Sequence, residues 1–180
     1  MNRVHLLDRD FVPYISEEQI QDAVRTLAYK INHDYHGKEV IFLGILNGVF
    51  MFASDLMKHI DLKCQISFLK IASYEGTSSS GKVKRLIGIN EDIKDHIVII
   101  LEDIVDSGLT LDHIMKQLVG YEPDEIKIAC MFFKPKAYQM NFPVDYVGME
   151  IPNDFIIGYG LDYNGFGRNL SSLYKLDGNK

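Results

Sequence analysis

The stretch Val98-Ile99-Ile100-Leu101-Glu102-Asp103-Ile104-Val105-Asp106-Ser107-Gly108-Leu109-Thr110-Leu111 decides how this chain is read. Apolar, mostly β-branched residues over 97–101 predict a buried central strand. That strand is expected to end at two adjacent carboxylates, Glu102 and Asp103, with a small polar turn, Asp106 to Thr110, just beyond. Leu111, Ile114, Met115 and Leu118 then recur at helical spacing. Acidic groups and a Gly/Ser/Thr loop therefore stand at the carboxyl end of a strand and open a helix, which is where open α/β sheets bind ligands. Backbone N–H groups at a helix start suit a phosphate, and adjacent carboxylates suit sugar hydroxyls or a metal ion. Charge set directly after a buried run is costly without a partner, so a bare strand ending explains it poorly.

Strands and helices alternate on either side of this stretch. Ser16-Glu17-Glu18-Gln19 is a capping box, opening a helix whose Ile20, Ala23, Val24, Leu27 and Ile31 form one apolar stripe. Residues 40–46 read as a first buried strand, Asn47-Gly48 as a turn, and 50–59 as a second helix. A strand over 66–73, a polar loop from Tyr74 to Gly81 and a strand over 83–89 read as a long hairpin with a mobile tip. Gly120 is a plausible C-terminal cap for the helix that follows the acidic strand. Residues 126–133 form another buried strand, and 144–147 and 155–159 shorter ones. Alternation of this kind predicts a parallel-centred α/β sheet.

At 180 residues, with no long linker or repeat, the chain is expected to form a single domain over 1–180. A hydrophobic content of 47% and a charged content of 24% are those of a soluble globular protein. No apolar run is long enough to span a bilayer and the N-terminus lacks the apolar core of a signal peptide, so no membrane association and a cytoplasmic location are expected. Cys64 and Cys130 read as reduced residues, in keeping with that compartment. A net charge of −6, with no basic block longer than Lys82-Val83-Lys84-Arg85, argues against a nucleic-acid partner. There is no Walker-type phosphate loop, and Gly158-Tyr159-Gly160 lacks the third glycine and helix of a dinucleotide fingerprint.

The acidic strand and its turn closely resemble the phosphoribosyl-pyrophosphate (PRPP) binding motif of type I phosphoribosyltransferases. The order matches: hydrophobic strand, two acidic residues, two apolar residues, then Asp, a small hydroxyl residue, Gly, any residue and Thr. Over almost its whole length the chain is similar to the hypoxanthine-guanine phosphoribosyltransferase family. Further likeness lies in residues 43–50, in Ser73-Tyr74 with the loop after it, in Phe132-Phe133-Lys134, and in residues 147–164. The resemblance implies the type I fold, a parallel-centred twisted sheet flanked by helices, with a small purine-binding hood formed by terminal segments.

It also implies roles. Glu102, Asp103, Asp106, Ser107, Gly108, Leu109 and Thr110 would hold the ribose and 5-phosphate of PRPP. Leu46, Asn47, Gly48, Ser73, Tyr74 and Arg168 would hold pyrophosphate, with a cis peptide at Leu46-Asn47 and a lid beginning at Ser73-Tyr74. Many relatives carry Lys or Arg where this chain has Asn47. Lys134 would read the oxygen at purine C6, Phe155 would stack on the base, Ile156 would bond its edge, and Asp162 would complete the purine end. Glu102, Asp103 and Asp162 are the expected ligands of Mg²⁺, and Asp106 is the expected catalytic group. The implied activity is transfer of ribose 5-phosphate from PRPP to hypoxanthine, and guanine, by a homodimer or homotetramer. A xanthine-preferring enzyme, or a PRPP-responsive nucleic-acid-binding regulator on the same fold, are the alternatives.

Overall fold

β3 (Glu39–Leu46) and β6 (Ile97–Val105) lie side by side and parallel at the centre of a six-stranded sheet. The computed structural model describes residues 2–74, 83–87 and 92–178. Outward from β3 come β4 (Lys63–Tyr74), parallel, and β5 (Val83–Ile87), antiparallel. Outward from β6 come β7 (Glu125–Phe133) and β8 (Tyr146–Glu150), both parallel. The order β5-β4-β3-β6-β7-β8 thus contains a parallel core of five strands, as the alternating pattern predicts.

Side chains of successive residues point to opposite faces of a strand, so a strand covered on both sides is apolar at every position. Val40 and Phe42 join Ile99 and Leu101 in one core, while Ile41 and Leu43 join Val98 and Ile100 in another. The first core is closed by α1 (Glu17–Asp34) and α2 (Phe50–Met57), the second by α3 (Leu109–Leu118). The Ser16 box is formed as read: Gln19 N–H donates to Ser16 Oγ at 3.3 Å and Ser16 N–H to Gln19 Oε1 at 3.0 Å.

The terminal segments build a second sheet, ordered β1 (Val4–Leu6), β2 (Arg9–Ile15), β10 (Leu173–Leu176) and β9 (Ile156–Ile157), antiparallel throughout. This is the expected hood. Its Ile15, Ile156 and Leu173 pack into the same core as α1 and α2.

Several boundaries differ from the expectations. β6 does not end at the carboxylates but runs through them to Val105, because its pairing with β7 continues to Val105↔Phe133. Gly120 caps nothing: after α3 comes a 3₁₀ turn, Val119–Tyr121, and the left-handed residue is Glu122 at φ +55°. The second helix stops at Met57, and the shorter strands shift to Tyr146–Glu150 and Ile156–Ile157; residues 88 and 89 of the strand expected over 83–89 lie outside the described residues. The loop read as a hairpin tip lies outside the described residues over 75–82.

Candidate active site

β3 and β6 pair from Val40↔Ile97 to Gly44↔Leu101, and beyond that each continues only against its outer neighbour. The gap that opens is a cleft of about 430 Å³ at the carboxyl edge of the sheet. Ile45, Leu46, Asn47 and Gly48 form one wall, and Glu102, Asp103 and Ile104 the other. Thr110 closes the α3 end, and Asp162 and Arg168 reach in from the loop after β9.

Of the acidic pair, Glu102 is buried and Asp103 is half-buried at the cleft wall. Glu102 is 6% exposed, and burial, with the neighbouring Asp103 charge, pushes its carboxyl well above the usual range. Burial raises Asp103 to about 6; Ile104 N–H and the Arg168 charge oppose the rise and the Asp162 charge adds to it. Ile104 N–H donates to Asp103 Oδ1 at 2.9 Å. Asp103 also explains the glycine opposite: a Cβ on Gly48 would lie 1.5 Å from Asp103 Oδ2. The peptide bond before this turn residue pair, Leu46-Asn47, is cis.

Arg168 is held by its own loop. Nη1 donates to Gly160 O at 2.7 Å, and Nη2 pairs with Asp162 Oδ1 at 2.5 Å. Asp162 also accepts from Gly165 N–H at 2.7 Å. One cation and three carboxyl groups thus share a cleft with a tight backbone turn, an arrangement suited to a polyanion bound together with a divalent cation.

The Asp106–Thr110 turn leads straight into α3. Gly108 is left-handed at φ +82°, and a Cβ there would meet the Tyr138 ring at 2.5 Å. α3 begins on Gly108 with no side-chain cap, and Leu109 N–H reaches Ser107 Oγ at 3.4 Å. Lys134, at the end of the adjacent β7, sends Nζ to Asp106 Oδ2 at 3.2 Å. The sequence positions read as base-recognition and catalytic groups are therefore in contact.

Not every expected residue joins them. Phe155 is 48% exposed and its ring lies against Phe11 and Tyr163, lining a hollow with Arg9 and Leu176 on the hood. Ile156 is buried in β9 opposite Lys175. Ser73 and Tyr74 end β4, next to the Lys84 and Val83 positions of β5. Ile45 and Ile104 line the cleft without having been singled out from the sequence; nothing but their adjacency to the motif residues marks them.

Comparison with known proteins gives a consistent picture. A family model described as phosphoribosyl transferase domain matches residues 16–164. The chain is 38% identical over 170 residues to a protein of Mycobacterium tuberculosis named hypoxanthine-guanine phosphoribosyltransferase, covering 91% of this chain and 84% of that one. It is 40% identical over 156 residues to a protein of the same name from Streptococcus agalactiae, covering 86% and 87%. A crystal structure of a hypoxanthine-guanine phosphoribosyltransferase from Bacillus anthracis superposes with a TM-score of 0.81 at 34% identity, over 92% of this chain and 96% of that one.

Proposed function

The chain belongs to the phosphoribosyltransferase family, together with the hypoxanthine-guanine enzymes it matches, and from that premise we propose that its cleft moves ribose 5-phosphate from PRPP to a 6-oxopurine. The enzyme is a purine-salvage phosphoribosyltransferase. The observation that carries the reading is the convergence of Asp103, Asp162 and Arg168 on the Leu46–Gly48 turn, directly beside the Asp106–Thr110 turn.

The residues divide the substrate between them. Backbone N–H groups from Ser107 to Thr110, at the uncapped start of α3, hold the 5-phosphate, aided by the helix dipole. Glu102, buried in the wall of the cleft beside Asp103, holds a ribose hydroxyl. Arg168 and the turn amides at Asn47 and Gly48 meet the pyrophosphate oxygens, and their charge grows in value as the leaving group becomes more negative. Asn47 contributes no charge there. Lys134 donates to the keto oxygen at purine C6, which selects oxo over amino purines. Asp106, beside Lys134, is placed to take or share the proton of the ring nitrogen that becomes the nucleophile. Phe155 and Ile156 offer an aromatic face and a backbone edge to the base from the hood.

Mg²⁺ fits this donor set. No group of three His, Cys, Asp or Glu side chains is arranged around a common centre among the described residues. Two facing carboxylates whose charges repel, Asp103 and Asp162, are nonetheless what Mg²⁺ uses when substrate phosphates and water complete its shell. When bound it neutralises charge on the departing pyrophosphate.

For the assembly we favour a homodimer or homotetramer. Phe50, Ile66 and Phe68 are exposed around a shallow apolar hollow on α2 and β4 that a second copy would cover. Free Cys64 and Cys130 agree with a cytoplasmic location, and no described helix is long and apolar enough to cross a membrane. Direct binding tests the site assignment: PRPP with Mg²⁺ should bind the wild type, and Arg168→Ala should weaken it by more than tenfold, a lost charge-assisted pair. Equal binding by the two proteins contradicts it.

A further inference from the structure

A tether reaches the cleft from behind. Tyr159 is 1% exposed and left-handed at φ +47°, and its hydroxyl donates to Asp55 Oδ2 at 2.9 Å. Asp55 sits on α2, the helix that continues directly from the Asn47-Gly48 turn. The same carboxylate accepts from Gln21 Nε2 on α1 at 2.6 Å and from Lys58 Nζ at 2.7 Å. Burial pushes the Asp55 carboxyl up, but these three bonds outweigh it and hold it below its usual value. Burial also raises the Tyr159 hydroxyl, so it remains a donor at any working pH.

The other end of the tether is Gly160. Its N–H donates to Arg168 O at 3.0 Å and its carbonyl accepts from Arg168 Nη1 at 2.7 Å. A Cβ on Gly160 would lie 1.9 Å from Gly48 O, so the two backbones touch. The guanidinium and the pyrophosphate turn are therefore joined twice, once by this backbone contact and once through Tyr159 and Asp55.

We propose that Tyr159 and Asp55 are positioning residues that fix the Arg168–Asp162 arm against the Leu46–Gly48 turn and so set the affinity of the enzyme for pyrophosphate and for the pyrophosphate end of PRPP. The inference rests on reading the cleft as the pyrophosphate site. It separates these two residues from side chains that merely stabilise the fold, because their loss moves one ligand and spares another.

The test compares Tyr159→Phe with Tyr146→Phe. Tyr146 makes the same kind of bond, hydroxyl to Asp34 Oδ2 at 2.8 Å, between β8 and α1. Calorimetry with magnesium pyrophosphate, and KM for PRPP and hypoxanthine, are measured on each protein. In Tyr159→Phe the pyrophosphate dissociation constant and the PRPP KM should rise about tenfold while the hypoxanthine KM stays put. Tyr146→Phe should leave all three at wild-type values even if its melting temperature falls equally. Asp55→Asn keeps an oxygen to accept from Tyr159 and should stay close to wild type; Asp55→Leu should copy Tyr159→Phe. Wild-type pyrophosphate affinity in Tyr159→Phe, or the same rise in Tyr146→Phe, overturns the proposal while leaving the active-site reading intact. A wild type that forms nucleotide yet binds no pyrophosphate overturns both the tether and the cleft assignment.

Discussion

Asp106 and Lys134 hold one another across the ends of neighbouring strands, Lys134 almost buried and Asp106 more than half exposed. The pair follows from two chain segments that the sequence separates by 28 residues, and only the parallel pairing of β6 with β7 brings them together. Asp106→Asn keeps an oxygen for Lys134 but removes charge and basicity. Turnover should fall by about 10²–10⁴-fold while PRPP binding survives. Single-turnover nucleotide formation beside direct PRPP binding checks this, and an unimpaired chemical step removes Asp106 from catalysis. Asp103 gives a pH-dependent expectation. An unfolded Asp releases its proton near 3.8, but the folded chain keeps it to about 6. Between those values the folded state binds more protons, so this group's stabilising contribution is full below about pH 4 and is lost as pH rises through about 6. The size is on the order of 3 kcal/mol. Urea unfolding of wild type and Asp103→Asn without ligands should show wild type losing ground to the variant as pH rises through this window; a constant difference contradicts the buried-carboxylate account.

Among elements, β10 is the one on which the hood depends. It pairs with β2 on one side and β9 on the other, and Leu173 on it is fully buried in the core shared with α1 and α2. Leu173→Ala should destabilise the protein by about 2–5 kcal/mol in urea unfolding. A loss under about 1 kcal/mol would mean the hood is not packed as described. The central strands and α1 were legible because burial on both faces leaves an unbroken apolar run, and an amphipathic helix leaves a stripe. β1 and β2 were not. Arg9, Asp10 and Pro13 interrupt the pattern of β2, and the turn joining the pair puts Leu7, not glycine or asparagine, at φ +56°. The sequence pattern predicts that the central strand ends at the acidic pair, Glu102 and Asp103; β6 runs past it because strand pairing follows the backbone, and β7 supplies partners regardless of side chain.

At the scale of the molecule, the site lies where the sheet parts between β3 and β6, and the hood and helices close around that gap. The Asp106–Thr110 turn and the acidic pair could be read locally, since each is contiguous in sequence. The Tyr159–Asp55 tether could not, because it joins residues 104 positions apart and nothing local to Tyr159 marks Asp55 as its partner. Nor could the lodging of Phe155 between Phe11 and Tyr163, which depends on the unrecognised β2. The measurement that bears most directly on the whole account is nucleotide formation from PRPP and Mg²⁺ with hypoxanthine, guanine, xanthine and adenine offered separately. Hypoxanthine and guanine should each yield their nucleoside monophosphate with one pyrophosphate released per turnover, adenine should yield none, and Lys134→Ala should lose activity with both oxopurines. Adenine used as well as hypoxanthine, or no nucleotide from any base, would contradict it.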